Sequence, residues 1–109
     1  MAKIINVTEK DFDQVVLKSS IPVLADFWAP WCNPCVMMGP VLEQLAEALG
    51  DKIQIVKINV DGPVNKALAH KYDIMSIPNL KVFKNGEVVK EFGGFIPLAV
   101  LRHDVEEAL

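Results

Sequence analysis

Two cysteines stand three residues apart in Trp31-Cys32-Asn33-Pro34-Cys35, and the chain has no others. They fall where an apolar strand pattern gives way to a helical one. Residues three apart on a helix carry Cβ atoms about 5–6 Å apart, whereas a disulfide wants about 3.8 Å. A Cys32–Cys35 bond is therefore within reach if the first helical turn tightens, though not free of strain. An accessible bond of that kind is reducible, which suits a redox catalyst better than a structural crosslink. The loop it closes is very short and would restrict the unfolded chain little.

The spacing also divides the labour between the two sulfurs. With Cys32 at the N-cap, its sulfur faces unpaired backbone N–H groups and the positive end of the helix dipole. Both favour thiolate, the attacking species. Cys35, one turn inside, should be more enclosed and keep its proton longer, so Cys32 attacks a partner disulfide and Cys35 resolves the mixed disulfide. Asn33 and Pro34 lie between them, and proline fits a first turn whose N–H groups have no intrahelical partner to lose. The alternatives are half a zinc site or two inert thiols. Zinc takes four ligands, and the other soft donors, His70 and His103, lie 33 residues apart with no paired spacing. No metal and no cofactor is expected, and both histidines read as solvated surface.

Asp26 is a carboxylate in the apolar run Val23-Leu24-Ala25-Asp26-Phe27, so burial should raise its pKa. Six residues before Cys32, it could take the proton from Cys35 during resolution. It could equally be satisfied by nearby backbone or by Lys57, the charge in the apolar run 53–60. Trp28 and Trp31 flank the cysteines. Trp31 is expected to shield the sulfurs and meet a partner, whereas Trp28 is as readily plain core.

These residues need elements to hold them. Ile4 to Val7 reads as a short strand, and Thr8 as the N-cap of a helix carrying Phe12, Val15 and Val16. Ile21 to Trp28 is a central strand, apolar on both faces. A helix starts near Cys32, buries Met38, Leu42, Leu45, Ala46 and Leu49, is interrupted and kinked at Gly39-Pro40, and stops at Gly50. Ile53 to Val60 is the next strand. Gly62-Pro63 opens a helix with Val64, Ala67, Leu68 and Tyr72 on one side. Past Ile77-Pro78, Leu80 to Lys84 and Val88 to Phe92 form a hairpin across Asn85-Gly86. Gly93 and Gly94 break the chain, and Pro97 begins a last helix burying Leu98, Leu101, Val105 and Ala108 or Leu109. Five strands and four helices result, the early strands parallel through right-handed crossovers and an antiparallel hairpin at one edge. Chemistry in such α/β sheets gathers at the carboxyl ends of strands, where Cys32 falls.

The chain has 109 residues, enough for one domain, 1–109. Apolar residues make up 51% and charged ones 23%, the balance of a globular protein. A net charge of −3 without a basic stripe argues against nucleic acid as partner. The opening residues Met1 to Asn6 lack the apolar core of a leader, and no run is long enough to span a membrane, so a cytoplasmic protein is expected.

Ala25-Asp26-Phe27-Trp28-Ala29-Pro30-Trp31-Cys32 with Pro34-Cys35, Pro40, Lys57, Asp61, Ile77-Pro78, Asn85-Gly86 and the late glycine pair resembles the thioredoxin family along essentially the whole chain. The resemblance implies a thioredoxin fold, strand order 1-3-2-4-5, and a general dithiol–disulfide oxidoreductase. Such a protein reduces protein disulfides and is itself re-reduced by a thioredoxin reductase. It implies Cys32 as nucleophile, tips Asp26 toward proton transfer, and implies a cis Ile77–Pro78 bond, where the sequence by itself favours trans. With that bond cis, Ile77 and Pro78 leave backbone groups free to pair with an extended peptide that Trp31 meets; Gly93 and Gly94 either let that peptide approach closely or mark only a turn. A monomer is expected, with no nucleic-acid or membrane partner. Three positions depart from the family pattern: Asn33 for glycine, Val36 for a basic residue and Asn79 for threonine. The first two bear on redox potential and partners; the last has no account from sequence. A disulfide oxidase or isomerase is disfavoured by the proline before Cys35. A binding module without turnover would keep its function after both cysteines are replaced.

Overall fold

The computed structural model describes residues 4–109; Met1 to Lys3, the first half of the stretch 1–6 expected to carry no leader, lie outside the described residues. Five strands, β1 (Ile4–Asn6), β2 (Val23–Trp28), β3 (Gln54–Asn59), β4 (Asn79–Lys84) and β5 (Glu87–Gly93), form one mixed sheet. Its order is β1-β3-β2-β4-β5. β3 runs parallel to both β1 and β2, while β4 runs antiparallel to β2 and β5. Asn85 (φ 54°) and Gly86 (φ 81°) both lie in the left-handed region, as the tight turn joining β4 to β5 demands.

Helices cover both faces. On one, α1 (Asn33–Leu49) and α3 (Leu98–Ala108) bury Met38, Leu42, Leu45, Leu101 and Val105 against Leu24, Ile55, Leu80 and Val82. On the other, Phe12, Val16, Leu68 and half-buried Tyr72 pack against Val23, Ala25, Phe27, Val56, Ile58 and Phe83. Phe12, Tyr72 and Phe83 meet edge-on or tilted, with centroids 5.4–5.7 Å apart, as ring quadrupoles favour.

Three expectations need correction. The first helical segment is a π-helical turn, Asp13–Leu17, in which the Lys18 N–H reaches back to the Asp13 carbonyl. Thr8 does open this region: its backbone N–H donates to Asp11 Oδ1 at 2.8 Å, half of a capping box. The helix expected from Gly62-Pro63 is shorter, α2 running only from Lys66 to Lys71. Asn65 would have to cap it, but its Nδ2 donates to the Asn59 carbonyl and its Oδ1 accepts the Glu9 N–H, at 2.8 and 2.9 Å. The Asn65 side chain is thus committed to tying two loops together, and Val64 and Ala67, expected on the inner side, are exposed. Third, α1 is continuous through Pro40 rather than interrupted, ending at Gly50 (φ 53°) as expected.

Candidate active site

α1 begins at the carboxyl end of β2. Cys32 is its N-cap in extended conformation, with Pro34 in the first turn. The Cys35 N–H donates to Cys32 Sγ at 3.3 Å, and the Val36 N–H donates to the Cys32 carbonyl at 3.0 Å. The sulfurs of Cys32 and Cys35 are bonded, their Cα atoms 5.2 Å apart. Cys35 is fully buried and Cys32 is 7% exposed, so solvent reaches the pair only along the edge of Cys32. Across from it, the Ile77 carbonyl oxygen lies 3.8 Å from Cys32 Sγ.

The tryptophans divide differently from expectation. Trp28, with Val60 and Ile77, packs against Ala29 and the two cysteines. Trp31 stays 69% exposed, and its Nε1–H donates to Asp61 Oδ1 at 3.0 Å. Asp61 is itself fixed by its N–H donating to Asn59 Oδ1 at 2.8 Å. The loop after β3 thereby holds the indole out over the surface. Asn33 and Pro34 are exposed beside it, and Val36 and Met37 extend the apolar rim at 52% and 54% exposure. Pro40 is on the exposed side of α1, outside the cysteine cluster.

Asp26 is completely buried, and neither carboxylate oxygen has a hydrogen-bond partner. Register places it opposite Lys57 on the α1 face of the sheet. Lys57 Nζ nevertheless sits over the Trp28 ring, 4.0 Å from its centroid, and forms no ion pair with Asp26. Burial lifts the Asp26 pKa to about 7, against the opposing pull of the Lys57 charge. The alternative of a carboxylate satisfied by backbone or by Lys57 does not describe this residue.

The Ile77–Pro78 peptide bond is cis. Pro78 is buried and its carbonyl accepts the Gly94 N–H at 2.9 Å. Gly93 lies opposite Asn79, with open space where a Cβ would stand. Gly94 has φ +79°, a conformation that glycine adopts without strain. Three segments distant in sequence thus meet at one end of the sheet. They are 31–35, 77–78 and 93–94.

Sequence reasoning missed a network beside them. Asn79 Nδ2 and the buried Lys81 Nζ both donate to Glu91 Oε2, at 3.0 and 2.5 Å. The signal was available: Lys81 is a charge inside the apolar run 80–83, the same cue that marked Asp26 and Lys57. Elsewhere, His103, Asp104 and Glu107 bring possible ligand atoms within 4.8 Å of one another on α3. His103 and Glu107 form a solvent-exposed i,i+4 contact at 3.7 Å, and His70 is exposed too. Among the described residues, no helix is long and apolar enough to cross a membrane.

Comparison with known proteins agrees with this geometry. The Thioredoxin family model matches residues 3–107. Thioredoxin 1 of Synechococcus elongatus is 45% identical over 103 residues, covering 94% of each chain. The thioredoxin of Haemophilus influenzae is 42% identical over 107 residues, 98% of each. That of Bacillus subtilis is 55% identical over 87 residues, 80% of this chain and 82% of its own. With the sheet order, the bonded cysteine pair and these likenesses together, the chain belongs to the thioredoxin family of dithiol–disulfide oxidoreductases.

Proposed function

We propose that this chain is a general reductase of protein disulfides, acting as one domain over residues 1–109. The observation that carries the reading is the bonded Cys32–Cys35 pair at the N-terminus of α1, with one sulfur at the solvent edge and the other sealed inside. In the reduced protein, Cys32 is the nucleophile. Its sulfur accepts a backbone N–H and caps a helix, and both favour the thiolate. The thiolate attacks one sulfur of a substrate disulfide; that S–S bond breaks, a mixed disulfide forms, and the other substrate sulfur leaves as thiolate. Cys35 then gives its proton to the Asp26 carboxylate, directly or through water, and attacks Cys32 Sγ. The mixed disulfide breaks, the second substrate thiolate departs, and the protein is left with the Cys32–Cys35 disulfide. Two electrons have passed to the substrate. With a pKa near 7, Asp26 takes and returns that proton at neutral pH with little loss of driving force.

The substrate peptide docks in extended form against Ile77 and Pro78, with Trp31 on one flank and Gly93–Gly94 on the other. Trp28, Lys57, Asn33 and Pro34 support this site, and Pro40, outside the cysteine cluster, does so only as part of α1. A thioredoxin reductase returns the disulfide to the dithiol. The protein acts as a monomer in the cytoplasm, with disulfide-containing proteins as substrates, no metal or cofactor, and no nucleic-acid or membrane partner. Steady-state reduction of insulin disulfides, with a chemical dithiol as electron source, tests the reading. Turnover lost in Cys32→Ser supports it. Binding of partner proteins undiminished by loss of both cysteines, with no turnover in the unmodified chain, would make it a binding module instead.

A further inference from the structure

The sheet face opposite Asp26 holds charged groups that take no part in the thiol and proton transfers of the exchange. Lys81 is 5% exposed, and its ammonium donates to Glu91 Oε2 across β4 and β5. The same oxygen accepts Asn79 Nδ2. These donors, Lys81 foremost, hold the Glu91 carboxyl below the usual range. A buried ammonium is costly unless paired, yet the Glu91 side chain is itself 55% exposed, so an apolar residue at 81 would remove both that cost and the need for a partner. Stability of the hairpin therefore does not call for this arrangement. What it supplies is orientation. Glu91 takes the amide end of Asn79 and turns Asn79 Oδ1 inward, where it is buried without a partner.

Asn79 is the first residue of β4, in register with Phe27 and Gly93. The residue before it, Pro78, accepts the Gly94 N–H, and the residue before that places its carbonyl 3.8 Å from Cys32 Sγ. Glu91 is thus one side chain and two peptide units from the reacting sulfur. We infer that Glu91 is a positioning residue for disulfide exchange: by fixing Asn79 it sets the spacing between Ile77–Pro78 and Gly93–Gly94 on which an extended substrate peptide docks. This rests on the docking role assigned to those segments above. A protein disulfide needs that docking; a small disulfide touching only Cys32 does not.

The test uses Lys81→Met protein as parent, so that no ammonium is left unpaired, and adds Asn79→Leu, Glu91→Leu and both together. Each preparation reduces insulin and, separately, a small aromatic disulfide. The expected result is a KM for insulin raised roughly fivefold in either single variant, the scale of one net hydrogen bond, with no further rise in the double. The kcat and the small-disulfide rate stay unchanged. Glu91→Gln, whose amide oxygen still accepts from Asn79, restores KM. Unchanged KM, effects that multiply in the double variant, equal losses on the small disulfide, or loss of a cooperative melt would each overturn the inference. Failure of the unmodified chain to reduce either disulfide would instead overturn the proposed function.

Discussion

The sheet separates two buried charges, Asp26 on β2 and Lys81 on β4, that meet opposite fates. Asp26 and Lys81 occupy neighbouring rungs of the sheet, since Asp26 pairs with Leu80 and Ala25 pairs with Lys81. Their side chains therefore leave opposite faces. Lys81 has a carboxylate at hydrogen-bond distance, and that carboxylate is pulled down toward its charged form. Asp26 has none, and is pushed up toward its neutral form. A charge with a partner in place orients its neighbours. A charge denied one is left poised to exchange a proton. Both are buried in the same sheet, so burial alone does not tell structure from chemistry; the partner does.

The sharpest test of the contrast lies at the cysteines the unpartnered side serves. Cys32→Ser should abolish disulfide reduction, whereas Cys35→Ser should retain attack and accumulate mixed disulfides with substrate proteins. Mass spectrometry of the adducts reads the difference. Adducts through Cys35 in the Cys32→Ser protein would reverse the roles.

Asp26 comes next. Its folded pKa of about 7 lies above the ordinary value of 3.8, so the folded protein binds more protons than the unfolded chain between those limits. Its burial costs least below about pH 4. Stability should then fall as pH rises toward 7, by up to ~4 kcal/mol, and level off above. Asp26→Asn should remove that fall, leaving the variant more stable than the parent at pH 8 and similar at pH 4. It should also slow the resolution step. Urea melts at several pH values, with stopped-flow reduction of a protein disulfide, measure both. A pH-independent stability difference would mean that Asp26 has found a partner after all.

On the partnered face the sign reverses. Glu91→Ala should destabilise the fold by about 2 kcal/mol, because a buried ammonium loses its acceptor. Lys81→Met, which removes the ammonium together with its need for an acceptor, should cost less than ~1 kcal/mol. Equal losses in urea would show the pair itself, not the orphaned charge, to matter.

Smallest is the effect at the rim. Val36 is exposed one turn past Cys32, where lysine would place positive charge near the thiolate. Val36→Lys should modestly favour the Cys32 thiolate, and less so in high salt, since water and ions screen an exposed charge. Alkylation rate against pH at two salt concentrations measures it. A loss of thiolate, or a shift indifferent to salt, would point to packing.

Much of this was written locally. Cys32 as N-cap, Gly50 as helix stop, Asn85-Gly86 as hairpin and the sheet order followed from patterns a few residues long, or from a family resemblance carried by such patterns. So did the buried Asp26, because a carboxylate amid apolar residues of a central strand has nowhere polar to point. What tertiary structure decided were the partners. No spacing says that Lys57 turns to the Trp28 ring while Asp26 goes unpaired, that Asn65 abandons α2 to latch Glu9 to Asn59, or that Glu91 gathers Asn79 and Lys81. Helix and strand patterns are short-range and survive in one dimension. The pairing of a buried polar group is settled by whichever distant strand or loop the fold brings within 3 Å or so of it, and that distance exists only once the chain has closed.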